Sequence, residues 1–394
     1  MSEYIIMTDT SADIPEVILA EGHIQLIPMA FELNGEERVH SDPGKWDSKE
    51  FYGKLRDGGQ GKTSQIPPMV YTEYFEKILK EGKDILYLSL SGGLTSTWQS
   101  SKLAATDLME EYPDRKISCV DSHAATGGQG ILTLIARKNQ EKGMSLEENT
   151  AWLEENRNNI CHWFTVDDLD FLKRGGRISP AIAWIGGKLK IKPVLRIAED
   201  GTLAIMEKVR GSKAALNYIS GKYTSIPENY DPEYPYVFLC HGDAQEQAEK
   251  LKADILAAMP QAQVVIMPMS PIIGVHTGPG VQAVIYYGKN RACSKILKIA
   301  KGVTHGFPSG KKFIENISIC RRGTVKQHDG TRMDASKQLF KGLFFCWLFV
   351  LIPVYIGKTP EKSFISQFFC HGKIDRTVDS SWRPVIFWHR GSGC

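Results

Sequence analysis

Two hydroxyls, one imidazole and two guanidinium groups stand where this chain could hold an anion. Thr63 lies in Lys62–Gln65, KTSQ, just ahead of the pair Pro67-Pro68, so the segment reads as an ordered turn rather than a helix. Its hydroxyl can donate to an anion without bringing a charge of its own. Spacing alone favours the plainer use, a bond to local backbone. Thr95 follows Gly92-Gly93 at the expected start of a helix, where free amides attract negative charge. His276, in GVHTGPG, can donate to a carboxylate and, when charged, pair with it. We read it as lying between a strand and a turn that cannot become helix. Arg177 sits in a basic knuckle, KRGGRIS, and Arg210 follows a hairpin pattern in KVRG. Each can pair with a carboxylate of its own domain or steer a partner that has an acidic face.

Other chemistries fit less well. Threonine with histidine is raw material for a hydrolase, but the chain has no GxSxG elbow. It has neither a Walker loop nor HExxH. Asp9, Asp13, Asp121, His123, His241 and Asp243 match no metal-site spacing. No metal and no cofactor are therefore expected.

Charge divides the chain. The 394 residues carry 48 Lys and Arg against 45 Asp and Glu, a net charge of +3. After Arg291 about 17 basic residues face 6 acidic ones, leaving 31 against 39 before it. An acidic body argues against nucleic acid as its partner. Cys119, Cys161 and Cys240 lie in apolar runs and read as buried thiols of a reducing compartment, whereas the five tail cysteines match no zinc pattern. The N-terminal MSEYIIMTDTSAD lacks the charged and apolar regions of a secretory signal. We expect a cytoplasmic protein.

The elements that must position these groups repeat a strand-loop-helix unit. Tyr4–Thr8, Asp84–Ser91 and Lys116–Val120 are apolar runs, each closing on Thr, Ser or Asp before a helical pattern. After the first run, Ser11 or Asp13 is expected to cap a helix with Pro15 in its first turn. Ile24–Phe31 is another strand-like run, closed by Asn34-Gly35. In an open parallel sheet such loops share the carboxyl edge, where ligands bind. Ser145-Leu146-Glu147-Glu148 is a capping box, and we place a domain boundary after its helix, giving α/β domains at 1–157 and 158–291. In the second, Val166, Leu169 and Leu172 suggest a short helix ended by a left-handed Gly175, with Ser179-Pro180 capping the next. Ile191–Ala198 and Thr202–Val209 flank Asp200-Gly201, a hairpin signal. The first domain should therefore hold a largely parallel sheet, and the second a mixed sheet containing a β-hairpin.

Four stretches, FTVDDLDFLKRGGRIS from Phe164, KTSQ from Lys62, SGGLTSTWQS from Ser91 and GVHTGPG from Gly274, together resemble the DegV family of bacterial fatty-acid-binding proteins. The resemblance covers about three quarters of the chain and stops near Arg291. It implies a carrier without catalytic residues that takes one long-chain fatty acid into an apolar tunnel between its domains. The carrier presents the carboxylate to an ATP-dependent fatty-acid kinase, which makes acyl phosphate for phospholipid synthesis. Thr63, Thr95 and His276 are the implied carboxylate contacts, and Arg177 and Arg210 the implied kinase contacts. Two departures bear on the head-group site: Ile66 is inserted before the proline pair, and Thr95-Ser96 replaces the family's serine-glycine.

The basic tail 292–394 lies outside this pattern. Its apolar run Leu343–Ile356 has 14 residues, short of the roughly 20 that a membrane helix needs. We expect unrelated sequence, from a shifted frame or a fusion, or a disordered segment, rather than a membrane span. Two alternatives to the carrier remain to be weighed: a Ser/Thr acyl-ester hydrolase, and a binding module anchored by the tail.

Overall fold

The computed structural model describes residues 3–20, 24–179 and 191–288 with their side chains, and two short strands further on. The first half runs β1 (Tyr4–Asp9), α1 (Glu16–Leu19), β2 (Ile24–Ile27), β3 (Met29–Leu33), β4 (Glu36–His40), α2 (Ser48–Arg56), β5 (Gly61–Thr63), α3 (Pro68–Lys80), β6 (Asp84–Ser89), α4 (Thr97–Glu111), β7 (Ile117–Asp121), α5 (Gly127–Glu141) and α6 (Leu146–Asn156). The second half continues with β8 (Ile160–Thr165), α7 (Asp170–Arg174), β9 (Ile191–Ile197), β10 (Leu203–Arg210), α8 (Ser212–Thr224), β11 (Tyr236–His241), α9 (Gln245–Ala258), β12 (Gln263–Pro268), α10 (Pro271–Thr277) and β13 (Gln282–Tyr287).

The strands of the three strand-loop-helix units, with β2 added at one edge, form a parallel sheet in the order β2-β1-β6-β7. Every residue of β6 is buried, as expected of a central parallel strand covered on both faces. The second large sheet is mixed, in the order β10-β9-β8-β13-β11-β12. Its β9-β10 pair is the expected hairpin, turned by Gly201 at φ +78°. The chain is thus an α/β protein with one parallel and one mixed sheet. Residues Met1–Ile299 form one unit. In a second unit, Ala300–Cys394, β14 (Thr324–Lys326) pairs antiparallel with β15 (Arg332–Asp334). The apolar run 343–356, Pro180 and the tail cysteines lie outside the described residues.

Helix α5 packs against strands of both large sheets. Its sequence, GGQGILTLIARKNQE, is buried on nearly every side of its first turns, and the glycines permit this. A Cβ on Gly127 would sit 2.8 Å from the Phe238 ring, and one on Gly130 2.6 Å from the Ala12 carbonyl. The loops at the carboxyl edge of the parallel sheet are fixed by buried polar groups. Asp9 accepts from Ser11 N at 3.0 Å, Tyr87 OH at 2.9 Å and Gln129 Nε2 at 3.1 Å, and burial raises its pKa. Losing one such partner would leave a buried acceptor short, at a cost of about 1–3 kcal/mol.

Four local expectations are corrected. Ser11 and Asp13 do not cap α1: Ser11 bonds Asp9 and Gln129, and Asp13, at φ +46°, turns inward. The segment 29–63 forms a separate antiparallel sheet, β4-β3-β5, with Asn34 and Gly35 at positive φ in its hairpin. Gly175 is right-handed at φ −68°, and Gly176, at +71°, is the left-handed residue after α7. Pro271–Thr277 is a helix, so His276 stands in the last turn of α10; Ser270-Pro271 provides its cap position and a proline at the first turn.

Candidate functional site

The carboxyl edge of the parallel sheet and one face of the mixed sheet enclose a chamber. Its cavity volume is about 80 Å³, a narrow space. Leu90 and Ala125 reach it from strand ends of the parallel sheet. Phe164, Ile197, Leu203, Ala283 and Ile285 reach it from the mixed sheet, and Ile272 and Ile273 from α10. A wall of this kind suits hydrocarbon, at about 25 cal/mol for each Å² of apolar surface removed from water.

Four of its polar groups lie near one another. Thr63, the last residue of β5, is paired in the sheet with Phe31, and its Oγ1 shares a 2.8 Å hydrogen bond with His276 Nε2. His276 reaches this position because residue 175 is glycine: a Cβ there would lie 2.4 Å from Nδ1. Among the described residues Nδ1 is buried without a hydrogen-bond partner. Burial, with the positive Arg177 second, pushes the imidazole pKa down to about 3, so His276 is neutral near pH 7. Thr95 lines the same chamber; its Oγ1 lies 2.9 Å from Thr97 Oγ1 and accepts from Thr97 N at 3.3 Å. Thr95 therefore also makes the local contact at the start of α4.

Arg177 lies with this group. It lines the chamber, half-buried, with Nε donating to the Leu94 carbonyl at 3.2 Å and a terminal nitrogen to the Gly175 carbonyl. Burial lowers its pKa, yet a guanidinium keeps its charge in proteins. Thr63, Thr95, His276 and Arg177 thus face one space, whereas Arg210 is exposed at the end of β10 and lines none of it. The two departures are absorbed by the fold. Ile66 is buried in the core beside α3, which anchors the loop after Thr63, and Ser96 is exposed and lines no part of the chamber.

Sequence reasoning missed the device that holds α10. Asp13 accepts from Ser270 N at 3.1 Å and from the Thr126 hydroxyl, tying the start of α10 to the start of α5. Burial raises its pKa to about 7. The signal lay in TSAD: a carboxylate beside two hydroxyl residues at a strand end. Missed as well was a polar groove next to the site, lined by Glu32, Asn34, Gln60, Lys62, Arg174 and Val275.

A hydroxyl bonded to an imidazole resembles a nucleophile and its base, but here the ring is a weak base with no carboxylate to orient it. A base of pKa about 3 takes up almost no proton near pH 7, and no carboxylate bonds Nδ1 to orient the ring. Among the described residues no group of three or more His, Cys, Asp or Glu side chains could hold a metal. None of their helices is long and apolar enough to cross a membrane.

The α/β chain thus encloses a mostly apolar chamber with hydroxyl, imidazole and guanidinium groups in its lining. Comparison with known proteins agrees on the lineage: residues 4–289 match the family described as "Uncharacterised protein, DegV family", and the chain belongs to the DegV family. A DegV domain-containing protein of Clostridium perfringens is 37% identical over 291 residues, covering 74% of this chain and 99% of that one. Among solved structures, a fatty-acid-binding DegV family protein of Streptococcus agalactiae is 27% identical with a TM-score of 0.65, covering 74% of this chain and 100% of that one. A DegV family protein of Thermus thermophilus, described by its fatty acid binding, is 29% identical with a TM-score of 0.64, covering 73% and 100%.

Proposed function

We propose that this chain binds one long-chain fatty acid and presents its carboxylate to an ATP-dependent fatty-acid kinase, which forms acyl phosphate for phospholipid synthesis. The observation that carries this reading is the narrow apolar chamber ending in the Thr63–His276 bond, with Arg177 beside it. A free fatty acid partitions into membranes because each buried CH₂ contributes about 0.8 kcal/mol. The chamber replaces that burial and leaves the head at the polar end. Thr63 and Thr95 donate hydroxyls to the carboxylate, neutral His276 gives up its bond to Thr63 and donates its one ring proton from Nε2, and Arg177 supplies the counter-charge. The fatty-acid-binding relatives of S. agalactiae and T. thermophilus support the ligand class.

The chain acts as a carrier rather than an enzyme, and the weak basicity of His276 supports this over ester hydrolysis. Buried Cys240, which forms no disulfide among the described residues, suits the reducing cytoplasm. The kinase docks at Arg177 and along the groove that holds Lys62 and Arg174, where cations approach the head, and at Arg210 on the exposed end of β10. Arg210→Ala is expected to retain bound fatty acid and lose acyl phosphate formation by the kinase; Arg177→Ala is expected to lose the transfer and weaken the acid as well. Both activities are measured on one preparation. Full transfer by Arg210→Ala would remove that residue from the docking surface, and turnover of a short acyl ester by the wild-type chain would favour the hydrolase.

A further inference from the structure

The chamber wall on the mixed sheet stops at one row of residues. Phe164 of β8 lies opposite Ala283 of β13, and both line the chamber. Two residues back along β8, about 6.6 Å further from α7, His162 lies opposite Ile285, and both line it too. In the next row Ile160 lies opposite Tyr287, and neither does. Helix α5 makes the closure. It crosses β8 so closely that a Cβ on Gly128 would sit 2.0 Å from His162 Nε2.

The imidazole in this row is 3% exposed and fixed to the main chain. Its Nε2 lies 3.3 Å from the amide nitrogen of Ala125 and 3.2 Å from the Ala125 carbonyl oxygen, in the loop that leads into α5. An aliphatic side chain such as Ile285 can change rotamer to admit one more methylene. The histidine ring cannot yield in that way without breaking its bond to Ala125 and leaving a buried polar group short of a partner. A polar ring is also a poor neighbour for a chain terminus that approaches it.

We propose that His162 sets the length of acyl chain this chamber accepts, its imidazole forming the wall against which the methyl end of the ligand stops. The inference rests on the fatty-acid reading and adds a specificity-determining residue to it. Saturated acids of about 12 to 20 carbons compete against a fluorescent acyl probe on the full chain, each extra methylene that finds room strengthening binding about four-fold. The wild-type series should rise and then break at one length. In His162→Ala the break should move to longer acids, whereas His162→Phe, which keeps a ring there, should not lengthen it. Should the alanine variant fail to fold by circular dichroism, His162→Gln reads out the same shift, since its amide can still bond Ala125 in a narrower shape. A break at the same length in wild type and in the folded Ala or Gln variant overturns the role of His162 while leaving the fatty-acid reading intact. A wild-type chain that binds none of the series overturns both.

Discussion

Thr63, Thr95, His276 and Arg177 present hydrogen-bonding groups to the chamber, and Leu90, Ile197, Leu203, Phe164 and Ile285 present hydrocarbon. The polar groups are held mostly by local backbone: the last residue of a short edge strand, a helix start, the last turn of α10, and the carbonyls of Leu94 and Gly175. The apolar groups, Leu90 apart, belong to strands of the mixed sheet, and all but the partly buried Leu203 are in the core. On the fatty-acid reading proposed above, affinity scales with the methylenes buried against the apolar groups, and the polar contacts, each contributing less than the buried chain as a whole, orient the head.

The largest test removes hydrocarbon. An acid of eight carbons should bind roughly 10⁴-fold more weakly than one of sixteen, as eight methylenes at about 0.8 kcal/mol each require after allowance for imperfect contact. Competition binding on the wild-type chain measures it, and a difference of less than about ten-fold would mean that the chamber does not hold the chain along its length. Removing one head contact costs less. Thr63→Val, Thr95→Val or His276→Ala should each weaken the acid by about 1.5–3 kcal/mol and barely change binding of the matching alcohol. Equal losses for acid and alcohol would make these residues part of the wall rather than readers of the head.

A smaller effect appears in stability against pH. His276 stays neutral in the folded chain down to about 3, while the ordinary value is 6.5. The unfolded chain therefore binds more protons in that window, and stability is lost as pH falls from 6.5 towards 3, by up to about 1.4 kcal/mol per unit. Asp13 acts in the opposite direction: raised from 3.8 to about 7, it holds a proton in the folded state and costs stability as pH rises through that window. His276→Asn leaves the Asp13 slope alone. Between pH 7 and pH 4.5 the variant should gain about 2 kcal/mol over wild type in urea unfolding. Parallel pH profiles would show that His276 is not held neutral by burial.

Much of this arrangement could be read from residues alone. The repeated run-loop-helix units gave the parallel sheet, Asp200-Gly201 gave the hairpin, and the Ser145–Glu148 capping box is present with both of its bonds. What failed was read from local signals too faint for their role. The strand β4, EERVH, is polar and mostly exposed, and β5 has three residues, so neither shows a period. The glycines of GVHTGPG hid a helix that Ser270-Pro271 announces. Gly175 looked like a helix stop, yet its lack of a side chain makes room for the His276 ring, a contact 101 residues distant that no local pattern contains. Arg177 read as a surface cation because the Leu94 and Gly175 carbonyls that draw it inward are brought there by the fold.

Occupation of this chamber by a fatty acid can be tested by direct chemistry. Purified protein is denatured and extracted with organic solvent, and the extract is analysed by mass spectrometry alongside an extract of Ala283→Trp, in which a large ring fills the chamber. We expect close to one long-chain fatty acid per wild-type chain and little in the folded variant. A wild-type preparation that carries no fatty acid and takes up none when it is supplied would contradict the account.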